Sequence, residues 1–329
     1  MARISLVIPV LNEQESITLF YETMSEVMAG MRHDVEFVFV DDGSTDATLS
    51  ILKRLHEKDP RVKAVSLSRN FGKEYALTAG FYHATGDAVI PMDVDMQDPP
   101  QLVATFVEHW ENGAEMVIGV REDRLRDSRA KRWSSSLFYK VFRFLTKNMI
   151  EENAGDFRLM SRRIVQELLR FPESVRFNKG LYGCVGFSRV LVPYARPARQ
   201  AGHSKWSGWK LWNFALDGIT SFSTFPLRIW SYLGGSIALC GFLYALFLVV
   251  RTLFCGVDVP GYASIMVVTL TLGGLILLSL GIIGEYLGRI FEEVKRRPLF
   301  IVRQTIGFAD DGATPAGGRR APLSPDSDR

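Results

Sequence analysis

The sequence contains few cysteines and lacks two common nucleotide-binding signatures. Its only cysteines are Cys184, Cys240 and Cys255, and their spacing fits no metal-ligand pattern. We therefore interpret all three as unpaired packing thiols. No GxGxxG follows the first apolar run and no GxxxxGK[ST] occurs anywhere, which argues against a dinucleotide-binding fold and against a P-loop.

The N-terminus also lacks a charged leader followed by an apolar signal segment. The sequence opens directly on the pattern of a buried strand, so we expect the front of the protein to remain in the cytoplasm. Hydrophobic residues make up 47% of the 329 residues, which excludes a mostly disordered protein. The formal net charge of +3 is small, and we expect no nucleic-acid partner.

Two long apolar runs are present instead. Residues 229–250 and 263–284 are each 22 residues long and carry no charged side chain, which is enough to cross a bilayer as helices. The alternative is a pair of buried helices in a soluble core. The short Gly/Pro-containing linker between the runs favours a membrane hairpin.

Basic residues flank this predicted hairpin on the outside. Arg228 precedes the first run and residues 295–297 are KRR, whereas the linker carries a single Arg. By the positive-inside rule both ends of the hairpin, and therefore both termini, are predicted to be cytoplasmic. The tail, residues 309–329, is small, polar and rich in Pro and Gly, and we expect it to be disordered.

The first 120 residues predict a mostly parallel sheet. Apolar, β-branched runs occur at residues 4–10, 35–41, 62–67, 87–93 and 115–120. Helical patterns separate the first four runs, which indicates right-handed crossovers and an α/β fold. In such sheets ligands bind at the carboxyl ends of the strands.

Polar clusters follow these strands, and two of them contain paired acids. In DDGSTD, residues 41–46, Ser44 or Thr45 can cap the next helix, but capping leaves Asp41 and Asp42 unexplained. An acid at this edge is well placed to bind a ribose or a base. In DVDMQDPP, residues 93–100, we expect Asp93 and Asp95 to project to the same side of an extended backbone. Such a pair favours a divalent cation between the carboxylates, although an acidic helix-capping turn is the alternative.

Six motifs in this order resemble family 2 inverting glycosyltransferases of the GT-A fold. They are PVLNE, VDDGSTD, SRNFGKE, DVDMQDPP, NAGDFRLM and AGHSKW. With the C-terminal hairpin, the chain is closer to the polyprenyl-phosphate branch, the bactoprenol glucosyltransferases and dolichyl-phosphate mannose synthases. The likeness covers residues 3–305 and implies a Rossmann-like, mostly parallel GT-A catalytic domain.

The resemblance assigns the donor-binding residues. The residues implied to surround the nucleotide are Pro9, Asn12, Glu13, Asp42 and Asp93. Asp95 and Gln97 are implied to bind a divalent cation, Mg or Mn, and oxygen-only ligands agree with that choice. Lys205, with Arg199 as a weaker candidate, is implied to contact the donor diphosphate; an exposed surface lysine is the alternative.

The resemblance also implies that Asp156 is catalytic, usually as a general base. A phosphate monoester has a second pKa near 6, so the acceptor is mostly deprotonated at neutral pH. We therefore hypothesise that Asp156 positions the acceptor or stabilises positive charge at C1 of the sugar. The alternative is a buried acid paired with Arg158.

A basic block is expected to meet the acceptor lipid. Residues 121–147 contain nine Lys or Arg against three acids, and anionic headgroups would also attract such a block. Within it, the residues that resemble phosphate ligands are Arg121, Arg129, Lys131 and Arg132. We predict interfacial amphipathic helices at about residues 134–148 and 205–222; domain-core helices are the alternative.

Together these inferences predict a membrane-anchored, multi-pass enzyme of the cytoplasmic membrane. Its parts are a catalytic domain at 1–228, two membrane helices within 229–288, a basic juxtamembrane segment at 289–308 and a tail at 309–329. It is predicted to transfer one sugar from a nucleotide-sugar donor to undecaprenyl phosphate. UDP-glucose is the preferred donor, and UDP-aminoarabinose and GDP-mannose are the alternatives. A non-catalytic lipid or glycan translocation subunit is the alternative of another class. The resemblance further implies a homotetramer.

Overall fold

The structure of the protein is a computed structural model. It describes residues 1–121, 154–171, 173, 176, 178–195, 225–255, 261–295 and 297–308.

Eight strands form one sheet. In chain order they are β1 (Arg3–Val10), β2 (Asp34–Asp41), β3 (Val62–Leu67), β4 (Ala88–Pro91), β5 (Met116–Arg121), β6 (Ala154–Ser161), β7 (Arg189–Tyr194) and β8 (Val302–Ile306). Their order across the sheet is β7-β5-β6-β4-β1-β2-β3-β8.

Eight helices are assigned within the described residues. They are α1 (Ile17–Ala29), α2 (Thr48–Lys58), α3 (Lys73–His83), α4 (Leu102–Glu111), α5 (Arg162–Arg170), α6 (Asn178–Cys184), α7 (Phe225–Cys255) and α8 (Tyr262–Lys295).

The first four strands form the predicted parallel sheet. β1 pairs in parallel with both β2 and β4, and β2 pairs in parallel with β3. Their side chains are buried almost without interruption, as expected for strands covered by helices on both faces. Phenylalanines from both helices and strands fill the core, among them Phe20, Phe37, Phe39 and Phe106, each 0% exposed. The predicted α/β architecture is confirmed.

Strand β6 runs opposite to its neighbours β4 and β5. Because it is antiparallel to β4, the N-terminal end of β6 lies at the edge of the sheet where β4 ends. This direction brings a segment about 60 residues further along the chain to the carboxyl ends of the parallel strands.

The last described strand, β8, returns to the same sheet after α8. It pairs antiparallel with β3 at the sheet edge, and Ser68 N donates to Ile301 O at 2.9 Å. Phe300 is 1% exposed and packs with residues of β2, β3 and α3. Residues 297–308, part of the segment predicted as juxtamembrane, therefore belong to the same compact unit as the sheet.

The second compact unit, Ser207–Arg296, contains α7 and α8. These helices include both predicted apolar runs. Within the described residues, one helical segment, Thr271–Lys295, is long and apolar enough to cross a membrane, and none of it is buried. A shorter apolar segment lies at Tyr232–Tyr244.

We predict that β8 holds the sheet edge through Phe300. Replacing Phe300 by Ala removes a fully buried ring from a packed site and should lower the free energy of unfolding by about 3–5 kcal/mol. Thermal unfolding of the full chain in detergent measures this loss. Ile301→Ala is the matched control, because Ile301 is 50% exposed, and its effect should be much smaller. Equal losses in both variants would contradict the prediction.

Candidate active site

Acidic side chains from three elements gather at the carboxyl edge of the parallel strands. Asp42 follows β2 directly, Asp93 lies two residues after β4, and Asp156 is the third residue of β6. Asp42 is 4% exposed, whereas the side chains of Asp93 and Asp156 are 37% and 14% exposed. The antiparallel direction of β6 explains how Asp156 reaches this edge.

One lysine, which the sequence analysis did not select, connects two of these acids. Lys73 Nζ lies 2.7 Å from Asp93 Oδ1 and 2.9 Å from Asp156 Oδ2. Lys73 is the first residue of α3 and stands in the SRNFGKE motif. That motif was the available signal, but a lysine at a helix start has no chemical pattern of its own. The structure therefore adds Lys73 to the predicted acids.

Asp42 holds the turn that precedes Lys73. Its two carboxylate oxygens accept the backbone N–H groups of Phe71 and Gly72 at 2.8 and 2.9 Å. Burial raises the pKa of Asp42, and these two hydrogen bonds oppose that shift. Gly43 permits the close approach of the two loops, because a Cβ at this position would lie 2.5 Å from the Arg69 carbonyl carbon. Asp42 thus has a structural task besides its predicted contact with the nucleotide.

The PVLNE motif packs on the loop after β2. Asn12 has a positive φ of 54°, and its N–H donates to Ser44 Oγ while its Oδ1 accepts Thr45 N–H. Glu13 N–H donates to Thr48 Oγ1 at 3.0 Å. Pro9 lies within β1. The structure therefore brings the predicted residues of this motif next to the DDGSTD loop.

The N-cap position of the helix after DDGSTD is Ala47, and no side chain caps the helix from that position. Helix α2 begins at Thr48, and Asp46 Oδ1 accepts the N–H of Thr48 at 3.0 Å. Ser44 instead accepts the N–H of Asn12. The prediction that Ser44 or Thr45 caps this helix is therefore wrong, because both residues face the PVLNE motif.

Charges around Asp156 keep it ionised. Burial alone would raise the pKa of Asp156, but the positive charges of Lys73 and Lys179 outweigh it and hold the pKa at about 2. Asp156 Oδ1 is enclosed and accepts no hydrogen bond from the described residues. The site therefore contains a carboxylate with one oxygen bound to Lys73 and one oxygen without a described donor.

Glu74 is a fourth acid in this cluster. It follows Lys73 in the first turn of α3, and its Oε2 accepts the N–H of Asn178 at 3.0 Å. Burial, and then the negative charge of Asp156, raise the pKa of Glu74 to about 7. Its ionised form is thus disfavoured where Asp156 is ionised.

Arg158 does not form the ion pair considered from the sequence. Its Nη2 donates to Gly155 O at 2.6 Å, and its guanidinium lies 3.8 Å from the centre of the Tyr182 ring. In the described residues the ion-pair partner of Asp156 is Lys73.

The predicted metal ligands lie in a turn rather than on an extended strand. β4 ends at Pro91, and residues 94–96 form a turn in which Met96 has a φ of 55°. The expectation that Asp93 and Asp95 project from one extended strand is therefore wrong. Asp95 is exposed, and its Oδ1 accepts the N–H of Gln97 at 3.2 Å.

The donor set of this turn fits a divalent cation that is shared with a substrate. No group of three or more acids, histidines or cysteines suited to a metal occurs among the described residues. Mg²⁺ is usually held by one or two carboxylates together with substrate phosphates and water. The exposed carboxylate of Asp95 and the amide of the buried Gln97 are oxygen ligands of this type.

Arg121 is the predicted acceptor residue that the structure describes. It ends β5, its Nε donates to Tyr194 OH at 3.2 Å, and its Nη2 lies 3.8 Å from Asp98 Oδ1. Tyr194 OH in turn donates to Asp98 Oδ1 at 2.6 Å. Arg121 is thus held beside the β6 segment that carries Asp156, with about a third of its side chain exposed.

The remaining predicted residues lie outside the described part of the chain. These are Arg129, Lys131, Arg132, Arg199 and Lys205. The predicted interfacial helices at about residues 134–148 and 205–222 fall there as well.

Two family models match the chain. Residues 5–169 match glycosyl transferase family 2, and residues 225–290 match the GtrB C-terminal hairpin. The first match contains most of β1, the strands β2 to β6 and the acidic cluster, and the second contains α7 and most of α8.

Relatives match almost the full chain. The bactoprenol glucosyl transferase derived from prophage SfII of Shigella flexneri is 50% identical over 303 residues, which cover 92% of this chain and 98% of that protein. A prophage bactoprenol glucosyl transferase homolog of Escherichia coli K12 is 48% identical over 302 residues, covering 92% and 99%. The similarity thus extends through both compact units.

A more distant likeness exists among solved structures. Glucosyl-3-phosphoglycerate synthase from Mycobacterium tuberculosis, in complex with Mg²⁺ and UDP, aligns with a TM-score of 0.49 and 18% identity. The alignment covers 67% of this chain and 77% of that chain.

The raised pKa of Glu74 predicts a pH-dependent gain from Glu74→Gln. The unfolded carboxyl ionises near pH 4.5, whereas the folded one ionises near pH 7, so wild-type stability falls as the pH rises through this window. A glutamine side chain does not ionise, so the Glu74→Gln variant does not lose stability in this way. Glu74→Gln should therefore be more stable than wild type by about 1–3 kcal/mol at pH 8, and by much less at pH 5.

Thermal unfolding in detergent between pH 5 and pH 8 measures this difference. Glu57→Gln, at an exposed position on α2, should show no comparable pH dependence. A Glu74→Gln variant that is less stable than wild type at pH 8 would show that Glu74 is ionised and stabilising in the folded protein.

Proposed function

The chain belongs to glycosyltransferase family 2, and from this premise we propose that it transfers one glucose from UDP-glucose to a polyprenyl phosphate. The observation that carries the proposal is the 50% identity to a bactoprenol glucosyl transferase across 92% of the chain. The matched hairpin at residues 225–290 supports a lipid acceptor, because that substrate is held in a membrane.

The proposed reaction is a displacement at C1 of glucose. An oxygen of the acceptor phosphate forms the new bond to C1, and the bond between C1 and the β-phosphate oxygen of UDP breaks. UDP leaves with the electron pair, and the configuration at C1 inverts. The products are polyprenyl-phosphate glucose and UDP.

The donor is proposed to bind at the carboxyl edge of β1, β2 and β4. The residues assigned to the nucleotide are Pro9, Asn12, Glu13, Asp42 and Asp93. Asp95 and Gln97 would hold a divalent cation, Mg or Mn, which when bound neutralises the diphosphate and stabilises the charge of the leaving group. Lys205 and Arg199 are proposed to contact the same diphosphate.

Asp156 is proposed to act by its charge rather than as a proton acceptor. A carboxylate with a pKa of about 2 is a weak base, and the acceptor phosphate is mostly ionised at neutral pH. A negative charge held near C1 stabilises the positive character that develops there as the bond to UDP breaks. The low pKa of Asp156 supports this role over general base catalysis.

The acceptor phosphate is proposed to bind to the basic residues between β5 and β6. Arg121 has a fixed position beside β6 through Tyr194 and Asp98, and a guanidinium suits a phosphate because it donates two parallel hydrogen bonds. Arg129, Lys131 and Arg132 are the other proposed ligands, in the segment that the structure does not describe.

The protein is proposed to be a multi-pass protein of the cytoplasmic membrane. β7 precedes α7 and β8 follows α8, yet both strands belong to one sheet. A chain that leaves a folded sheet and returns to it must cross the membrane an even number of times. Two crossings by α7 and α8, with the catalytic unit and both termini in the cytoplasm, agree with this requirement and with the flanking basic residues.

We predict that the detergent-solubilised protein releases UDP from UDP-glucose only when undecaprenyl phosphate and Mg²⁺ or Mn²⁺ are both present. EDTA should abolish release. Asp95→Ala should lower turnover by about 100-fold or more, because a metal ligand contributes several kcal/mol to the transition state. Glu108→Ala, which removes an exposed acid on α4, is the matched control and should retain wild-type turnover.

The same assay distinguishes the alternative donors. Turnover with GDP-mannose or UDP-aminoarabinose in place of UDP-glucose would keep the reaction class and change the sugar. Silence with every donor, together with accelerated lipid flipping in vesicles, would favour a translocation subunit.

The charge-based role of Asp156 predicts a distinctive pH profile. Asp156→Asn should lower kcat by about 100-fold or more, and the loss should stay constant as the pH rises, since no proton transfer is replaced. The measurement is kcat between pH 6 and pH 9.5. A variant whose activity recovers at high pH would identify Asp156 as a general base instead.

A further inference from the structure

Lys73 occupies the centre of the acidic cluster, and the reaction as proposed above gives it no task. Its ammonium contacts Asp93 and Asp156 at 2.7 and 2.9 Å. Asp93 follows the strand that leads to the DVDMQ turn, and Asp156 belongs to β6. One side chain therefore joins the edge assigned to the donor with the acid assigned to the displacement.

The backbone fixes the position of Lys73 tightly. Gly72, with a φ of 107°, ends the preceding turn in a conformation that favours glycine. The carboxylate of Asp42 holds the N–H of Gly72 and that of Phe71. Lys73 then starts α3, whose Ala76 and Ala79 are fully buried in the core. The backbone position from which the Lys73 side chain starts is therefore fixed by the turn and by the core.

The electrostatics require a cation at this point. Because Asp93 and Asp156 contact the same nitrogen, their nearest oxygens are no more than about 6 Å apart, a distance at which two carboxylates repel each other. Glu74 adds a third acid next to Asp156. The contacts to both carboxylates in turn raise the pKa of Lys73 against the effect of its burial, so the lysine is charged at any pH at which the protein is active.

We propose that Lys73 is a positioning residue of the transfer reaction that acts through Asp156: its ammonium fixes the Asp156 carboxylate against Asp93, in the arrangement that the displacement requires. This inference rests on the proposed function, because it assumes that Asp156 acts on the sugar. A direct contact between Lys73 and the donor diphosphate is the competing role, since 42% of the side chain is exposed.

A double-mutant cycle in kcat separates the two roles. Lys73→Met keeps most of the side-chain length and removes the charge, and it should lower kcat by about 100-fold with less than about threefold change in the KM for UDP-glucose. In the Asp156→Asn background the same substitution should lower kcat by no more than about threefold, because its target is already gone. Lys73→Arg keeps the charge, and its kcat should be at least about tenfold higher than that of Lys73→Met.

Several kinetic outcomes would overturn the proposal. If the two single substitutions lower kcat independently, so that their factors multiply in the double variant, Lys73 would be assigned to the donor diphosphate instead. The same would follow if Lys73→Met lowered kcat/KM only by raising the KM for UDP-glucose. A Lys73→Met variant with wild-type kcat would show that the contact has no role. A wild type that turns over no donor would overturn the proposed function, and this inference with it, so the two failures are distinguishable.

Thermal unfolding of the same variants in detergent provides a readout that is independent of turnover. Lys73→Met leaves two carboxylates without their shared cation and should lower Tm, and Asp156→Asn should raise the Tm of that variant again. Lys63→Met is the matched control, because Lys63 forms an ion pair with Glu36 at 2.7 Å; it should lower Tm and leave kcat unchanged. If Lys73→Met does not fold by itself, recovery of a folded protein in the double variant with Asp156→Asn tests the same pair. The absence of any Tm coupling between residues 73 and 156 would contradict the ion pair.

Discussion

The arrangement of the candidate site depends on how the repulsion between its acids is offset. Parallel strands bring Asp42 and Asp93 to one edge, and β6 adds Asp156. Each carboxylate has a hydrogen-bond donor or a cation there, because its charged form is disfavoured by the neighbouring acids and, at Asp42 and Asp156, by burial as well. Asp42 obtains the backbone N–H groups of Phe71 and Gly72, and the other two share Lys73. All of these partners lie in the turn between β3 and the start of α3, which is therefore the segment that the site geometry requires most.

The sequence predicted the parts of the fold that have a strong local pattern. The five apolar runs correspond to β1 through β5, since strands buried on both faces read as continuous hydrophobic segments. The motifs at their ends identified Asp42, Asp93 and Asp156 as site candidates. Lys73 was missed because a lysine at a helix start is usually exposed and solvated. Its partners Asp93 and Asp156 lie 20 and 83 residues further along the chain, and no periodicity encodes that contact.

The sequence patterns also did not predict β8, the strand with which the chain returns to the sheet. VRQTI, residues 302–306, mixes polar and apolar residues, as expected of an edge strand with a single neighbour. What holds it is Phe300, outside the strand, packed on β3 and α3. Along the chain, the predicted membrane hairpin thus lies between β7 and β8, two strands of the same sheet. Because β3 leads directly into the turn that carries Lys73, the segment after the hairpin supports the same part of the candidate site.

The charge balance of this edge bears on the requirement for a metal. The donor would bring a diphosphate to a surface that already carries Asp93 and Asp95. Among the described residues, Lys73 is engaged with two carboxylates and Arg121 contacts Tyr194 and lies near Asp98. Attraction of the donor's doubly charged diphosphate therefore calls for further positive charge, beyond that proposed for Lys205 and Arg199. A divalent cation held by Asp95 would supply such charge next to the leaving diphosphate, a role that a lysine already paired with Asp156 cannot fill.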